Sequence, residues 1–565
     1  MLNGKSRLTI VSILVLASLT VTAGAAASPL GSDLWTQAKA FLGIEAARST
    51  ATAESPQRTP APKLAKSELV ASAYEPLTAL VMPGVGGATF RSNVTTGNWN
   101  TAGSWTLVSG TDADGIPDAD DDVYVQTGHS ISLVQNESCF DLHINTGGSA
   151  KVALGSNTLS INGKIRAYTG ALGTIPGTST STPSAAPITI TANSTGKISF
   201  VGSSRNITST GEWGAGNTGS TTTFALEIAL TAGQTATMQT SIKASSWNIV
   251  SGTLDAQNTI AADNGTTGQG DVLIGANGKV TSNQSGSSSS VIQRSGANRS
   301  GNLLVSGTLQ LTGASPNIAV STIDFTGTGA GTVEYSRAGT QTLAVASNSG
   351  ANPNTYGNLK LSGTSAKTLS QNTTVNGTLT MAGDATQTLA RGAFSLTYGA
   401  SSILEYAGTA AQTTKDPEYP NVSGPPNLKI NNTSGVTLHA SRTNSGNTNL
   451  AQGTLSTTSS FTYTIGSVTG TVTRGTGYVI GKLNKTWVAA GSKTFEIGTA
   501  NGYSPVDVNV TTNNGTSNMT VSATQGAMPA LTGSGQKLAR YWTLASGGAS
   551  MTANLTFNYL ASDAG

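Results

Sequence analysis

The feature that most limits what this chain can become is a phrase it spells twice. The first copy runs Gly331-Thr-Val-Glu-Tyr335, then Gln341-Thr342, Asn358-Leu-Lys360 and Thr368-Leu369. The second runs Ser402-Ile-Leu-Glu-Tyr406, then Gln412-Thr413, Asn427-Leu-Lys429 and Thr437-Leu438. The offset is 71 residues at Glu334/Glu405 and 69 at Asn358/Asn427, so only loop length has drifted. Each copy alternates apolar and polar residues between Gly and Asn breaks, the pattern of short strands joined by turns. A unit of this length holds three coils of about 20–25 residues, a size common in stacked-repeat proteins. A shorter phrase recurs at the finer spacing, as Ser251-Gly-Thr-Leu254, Ser306-Gly-Thr-Leu309 and Gln452-Gly-Thr-Leu455.

Composition agrees with strands. Of 565 residues 68 are Gly, and charged residues make up only 10%, where about 25% is usual. Ser, Thr and Asn supply the polarity instead. They favour strands and turns because Thr is β-branched and Asn tolerates φ > 0. Disorder calls for few β-branched residues and high net charge. Here Val-Tyr-Val (123–125) and Leu-Leu-Val (303–305) typify recurring apolar runs, and the net charge is +3. That balance, with no basic stripe, argues against nucleic acid as a partner. The lone Cys139 rules out an intramolecular disulfide.

At the N-terminus Lys5 and Arg7 precede the apolar run Leu8–Val21, followed by Ala23, Gly24 and Ala25 to Ala27. This is the order of a secretory signal peptide. Cleavage is expected between about Ala23 and Ser28, and the run is short for a membrane span of ~20 residues. Residues 28–85 read as a spacer. Leu34, Trp35, Ala38, Phe41 and Leu42 fall at helical spacing, and Ser55–Lys66 is a Pro/Ala/Lys linker. The repeat region spans 86–470 and a β-rich unit 471–565.

A resemblance emerges from particular residues. Gly97-Asn-Trp99, Ser104-Trp105, Ile116-Pro117, Ala119-Asp-Asp-Asp-Val123, Gly128-His129 and Asn157-Thr-Leu-Ser-Ile-Asn-Gly163 resemble the opening of large secreted bacterial β-helix surface proteins. Gly475-Thr-Gly-Tyr-Val479, Lys493-Thr-Phe-Glu-Ile497, Arg540-Tyr-Trp-Thr543 and Asn554-Leu-Thr-Phe557 resemble the segment that follows the repeats there. The resemblance implies a right-handed parallel β-helix, or solenoid; with the β-rich stretch that follows, the expectation is an all-β chain ending in a sandwich-like C-terminal domain. It also implies cell-surface location and no catalytic residues to transfer. Relatives of that kind often end in a sorting domain; this sequence stops after Asn554–Leu560, so a fragment is the expectation.

Candidate chemistry is sparse. The densest acidic stretch holds Asp112, Asp114, Asp118 and Asp120, with Asp121 and Asp122 beside them. Oxygen-rich loops of this kind suit Ca²⁺, so Asp112, Asp114, Asp118 and Asp120 are the candidate metal ligands. The competing reading is a solvated turn leading into Val123. His129, His143 and His439 show no ligand spacing and read as packing residues, as does Cys139 beside Phe140. Glu334 and Glu405 recur in both copies, which suits a scaffold better than a catalytic pair. Trp213 and Trp247 are the aromatics that could serve a sugar as platforms, but both read better as core or turn packing. The expectation is a secreted structural or adhesive protein, not an enzyme, meeting glycans, matrix or a neighbouring cell surface. The alternative is a carbohydrate-active β-helix, a polysaccharide lyase or hydrolase.

Overall fold

The computed structural model describes residues 87–564, leaving out 174–188, 192–195, 208–223, 263–269, 287–288, 294–300, 321, 326–330, 344, 347–353, 467–468 and 531–534. The segments expected to be a signal peptide (1–27) and a spacer (28–85) therefore lie outside the described residues, as does Trp213. Among the described residues the only helices are two 3₁₀ turns, Ala102–Ser104 and Ala561–Asp563; everything else regular is strand. No helix among them is long and apolar enough to cross a membrane.

Most strands pair in parallel with a strand one rung further along the chain. The longest run of such pairs sets Leu254, Val280, Leu309, Val333, Leu359, Leu379, Leu404 and Leu428 in one column, each opposite the next. All eight are at most 1% exposed. Partners lie from 20 residues (Leu359 to Leu379) to 29 residues (Val280 to Leu309) apart. This is the spacing expected of coils stacked about 4.8 Å apart, and it is consistent with a parallel β-helix. A single coil could not cover its inward aliphatic side chains; the coil above and the coil below do so.

The repeat maps onto this register. Thr332–Tyr335, Asn358–Leu361 and Thr378–Met381 are consecutive rungs, and Ile403–Tyr406, Asn427–Asn431 and Thr448–Gln452 are the next three. One copy thus contributes three rungs to the main ladder. Its polar residues satisfy particular backbone groups. The Gln341 amide reaches back to the carbonyls of Leu311 and Gly313, both at 2.8 Å, and Gln412 does the same to Met381 at 3.1 Å. Lys367 clasps Arg337 and Gly339 carbonyls at 2.6 and 3.2 Å. Bends leave backbone carbonyls unpaired, and burying them bare is costly; a long side chain from the next rung satisfies them. Asn358 Oδ1 accepts the Thr378 amide at 2.9 Å, and Asn427 Oδ1 that of Asn447 at 2.8 Å. In the Gln452-Gly-Thr-Leu455 phrase Gly453 has φ +75°, and a Cβ there would stand 1.7 Å from the Asn432 carbonyl oxygen.

Pairing changes hand at both ends. At the first rung, Trp105–Ser109 lies antiparallel to Thr89–Ser92. At the other end the sheet runs unbroken across residue 471: Thr462–Ile465 pairs in parallel with Lys482–Trp487. Lys482–Trp487 then pairs antiparallel with Ser517–Gln525, and that strand with Arg540–Gly548. A second antiparallel sheet joins Gly491–Phe495, Val506–Asn513 and Met551–Phe557. The core continues between these sheets through Trp487, Phe495, Val506, Val508 and Val521. Ending in antiparallel strands keeps the stack from offering a further parallel rung.

Candidate functional site

The acidic stretch lies in the connection from Trp105–Ser109 back to the strand Asp122–Val125. Short-range hydrogen bonds shape it. Asp112 Oδ1 accepts the amides of Asp114 and Gly115 at 3.1 and 2.5 Å, Asp114 Oδ1 that of Ile116 at 2.9 Å, and Asp118 Oδ1 that of Asp120 at 3.2 Å. These are Asx turns, a use of Asp common in loops. Asp121 is buried. Its two oxygens accept the amides of Ala88 (2.6 Å) and Asp118 (2.8 Å), tying the loop to the start of the first rung.

The outcome is a trio. One carboxylate oxygen each from Asp112, Asp118 and Asp121 lie within 4.8 Å of one another. Asp112 and Asp118 are among the ligands expected from the sequence; Asp121 joins them, while Asp114 and Asp120 stand outside the trio. Nothing in local spacing separates Asp121 from Asp120, because its place is set by Ala88, 33 residues earlier.

The acids crowd one another. The Asp118 carboxyl is pushed up to about 6, first by its hydrogen bond with the Asp120 side chain and then by burial. Burial, reinforced by Asp141, lifts Asp122 to about 6, and burial lifts Asp121 and Asp141 as well. Three hard oxygen donors are a partial set for Ca²⁺, which takes six to eight. Asp112, Asp118 and Asp121 could hold such an ion, which would offset their repulsion.

Beside the trio, Tyr124, His143 and Arg166 occupy one register column. The His143 ring stacks on Tyr124 at 4.1 Å and 5°, and its Nε2 stands 3.9 Å from Asp141 Oδ2. Burial drives the His143 imidazole down to about 3, so it packs as a neutral ring. The backbone at Gly170–Gly173 crosses near this face, with Asn145 donating to the Gly170 carbonyl and Gly173 to Gln126 Oε1. His129 Nδ1 is hydrogen-bonded to Ser92 Oγ at 2.8 Å. His439 bridges Thr414 Oγ1 (2.8 Å) and Asp416 Oδ1 (3.1 Å). That line has the order of a hydroxyl–His–carboxylate relay, but Thr414 is fully buried and beyond a substrate's reach. Cys139 is buried and its thiol pushed well up, away from the reactive thiolate.

The recurrent glutamates are ladder members on the face away from the leucine column, Glu334 buried and Glu405 half-buried. Lys360 Nζ meets Glu334 Oε1 at 3.1 Å, and Lys429 Nζ meets Glu405 Oε1 at 2.9 Å. Trp247 is fully buried and donates to the Ala261 carbonyl at 3.0 Å, so it is core and offers no platform to a sugar. A shallow cavity of about 270 Å³ lies on the C-terminal sheet, lined by Ser492, Thr494, Asp507, Asn509, Asn554 and Thr556 among others. No family model matches this chain, and neither a curated protein nor a solved structure is detectably similar to it.

Proposed function

We propose that this chain is an exported surface protein whose stacked rungs form a right-handed parallel β-helix, ending in a sandwich-like unit. Its work is structural and adhesive: a stiff rod that presents repeated polar faces to glycans, matrix or neighbouring cells. Right-handedness follows from the general rule for parallel strand crossovers. Export rests on the charged, apolar and small-residue order of residues 1–27.

The observation that carries the reading is the outward column. Asp255, Thr281, Gln310, Glu334, Lys360, Thr380, Glu405 and Lys429 follow one another rung by rung on the face opposite the leucine column. Thr281 donates to Asp255 at 2.7 Å, and Glu334–Lys360 and Glu405–Lys429 are paired. A surface that repeats hydroxyl, amide and charge at a fixed rise suits many weak contacts made together.

A second reading, a carbohydrate-active enzyme, draws on Asp118 and Asp122, each held at about 6, where a carboxyl can give or take a proton. One experiment separates the two. The mature chain is incubated with a panel of polysaccharides, and both retention and cleavage are followed. Saturable retention without cleavage is expected. Cleavage abolished by Asp118→Asn or Asp122→Asn would replace the adhesive reading with the enzymatic one.

A further inference from the structure

The two ends of the stack differ in charge and share an unfinished edge. Between residues 87 and 145 there are eight carboxylates and one arginine, a formal −7. Between 474 and 565 there are six Lys or Arg and three Asp or Glu, a formal +3. At the acidic end the last strand of its sheet is Trp105–Ser109, and at the basic end Arg540–Gly548 and Met551–Phe557 are the last strands of theirs. Among the described residues no strand pairs with the free side of any of the three. Leu107 and Val108 are 44% and 42% exposed, and Leu555, Phe557 and Tyr559 are 41%, 38% and 52% exposed. Trp542 and Phe557 touch across the gap between the two C-terminal sheets, ring centroids 5.1 Å apart.

Natural sheets blunt exposed edges with Lys, Glu or Pro. Trp105–Ser109 and Met551–Phe557 contain none of these and no charge of any kind. We infer that copies of this chain associate head to tail: the Trp105–Ser109 edge of one copy pairs with the Met551–Phe557 edge of the next. The acidic first rungs of one copy then face the basic C-terminal unit of the other. A second copy is the occupant because one chain carries both halves of the match: two uncharged edges and opposite net charges. The contact is heterologous, so each copy keeps one free end and the association is open-ended. The inference stands apart from whether the rod binds glycans.

The test uses the mature chain and two variants that charge one end each. Leu107→Lys places a cation on the acidic end's edge, and Leu555→Glu an anion on the basic end's edge. Sedimentation velocity at low ionic strength is expected to show wild-type mass rising with concentration beyond a dimer. In 1 M salt, where screening acts within about 3 Å, the association weakens. Each variant alone is expected to stay monomeric. Mixed together they are expected to associate again, because the unaltered edge of each supplies what the other lacks and the two introduced charges are of opposite sign. A wild type that is monomeric at every concentration overturns the inference. So does a closed two-fold dimer, or variants that show no pairing on mixing. Circular dichroism and a melt confirm that each variant is folded; should Leu555→Glu fail there, Asn554→Glu charges the same strand from its solvent face.

Discussion

Arg540 Nε donates to Asp563 Oδ2 at 2.7 Å, and both side chains are almost wholly shielded from water. The same guanidinium reaches Ser504 Oγ at 2.7 Å and the Gly502 carbonyl at 3.3 Å. Asp563 also accepts the Leu560 amide at 3.2 Å and the Gln525 side-chain amide at 3.1 Å. The pair thus pins the final 3₁₀ turn to the antiparallel sheet. Removing one partner leaves the other charge buried and unmatched, which costs about 3–5 kcal/mol. Asp563→Ala is therefore expected to free the last turn and lower the unfolding midpoint. Limited proteolysis that cuts wild type and variant equally fast after residue 558 would count against this.

Stability is expected to rise on mild acidification. Asp118 and Asp122 are held at about 6, Asp121 and Asp141 are raised, and the buried Glu418 is pushed up to about 7, chiefly by burial. In the unfolded chain such groups titrate near 4. The folded state therefore binds protons more tightly. The stabilisation is complete below about pH 4 and is lost as pH rises through about 6 to 7. The buried His143, held down at about 3, partly opposes the trend below about pH 6.5, where the unfolded imidazole takes up a proton; at still lower pH the Asp563–Arg540 pair does so too, because that carboxyl is held down by its guanidinium partner. Melting is expected at a higher temperature at pH 5 than at pH 7.5, and Asp122→Asn should flatten the difference. A midpoint that falls steadily from pH 7.5 to 5 would refute this.

Much of the architecture is legible in the sequence because its cause is local and periodic. The Glu-Tyr, Gln-Thr and Asn-Leu-Lys phrases mark rungs since each residue type keeps one place in the coil. Tyr335 and Tyr406 point inward, Gln341 and Gln412 sit on the bend, and Lys360 and Lys429 stand on the outward column. Three rungs per copy follow from the length of the unit. The acidic loop is less legible. Asp112 and Asp118 meet because turns fold them together, yet Asp121 is chosen by contact with Ala88, which no spacing rule encodes. Trp247 is more legible: the sequence favours core or turn packing for it over a sugar platform, and it is fully buried. The pairing of Arg540 with Asp563 spans 23 residues and two elements, beyond any pattern of short phrases.

Two ion pairs of the same type are expected to behave differently. Lys429–Glu405 stands at 2.9 Å with side chains 34% and 13% exposed, the lysine reaching water, whereas Lys485–Glu496 stands at 2.6 Å with both side chains shielded, at 8% and 11%. Exposed pairs contribute about 0–1 kcal/mol. Stripping a partner from a buried pair costs about 3–5 kcal/mol. Burial pulls Lys485 down and pushes Glu496 up, the signature of two charges each deprived of water. Lys429→Met should be nearly silent in chemical denaturation, and Lys485→Met strongly destabilising. Equal effects would show that depth in the sheet does not decide the matter.

Gly453 and Gly128 share a left-handed backbone, with φ of +75° and +77°. They differ in what surrounds them. A Cβ at Gly128 meets nothing within 4 Å, while at Gly453 it would stand 1.7 Å from the Asn432 carbonyl oxygen. Gly128→Ala therefore incurs backbone strain alone, about 1 kcal/mol. Gly453→Ala adds a collision with the backbone of the rung beneath. That contact cannot relax without separating two rungs whose strands are already paired, Asn427–Asn431 and Thr448–Gln452. The stack transmits the shift, since each rung is the floor of the next. Gly453→Ala is expected to lower stability several-fold more than Gly128→Ala in a denaturant titration. Comparable losses would mean that neighbouring rungs sit further apart here than the register requires.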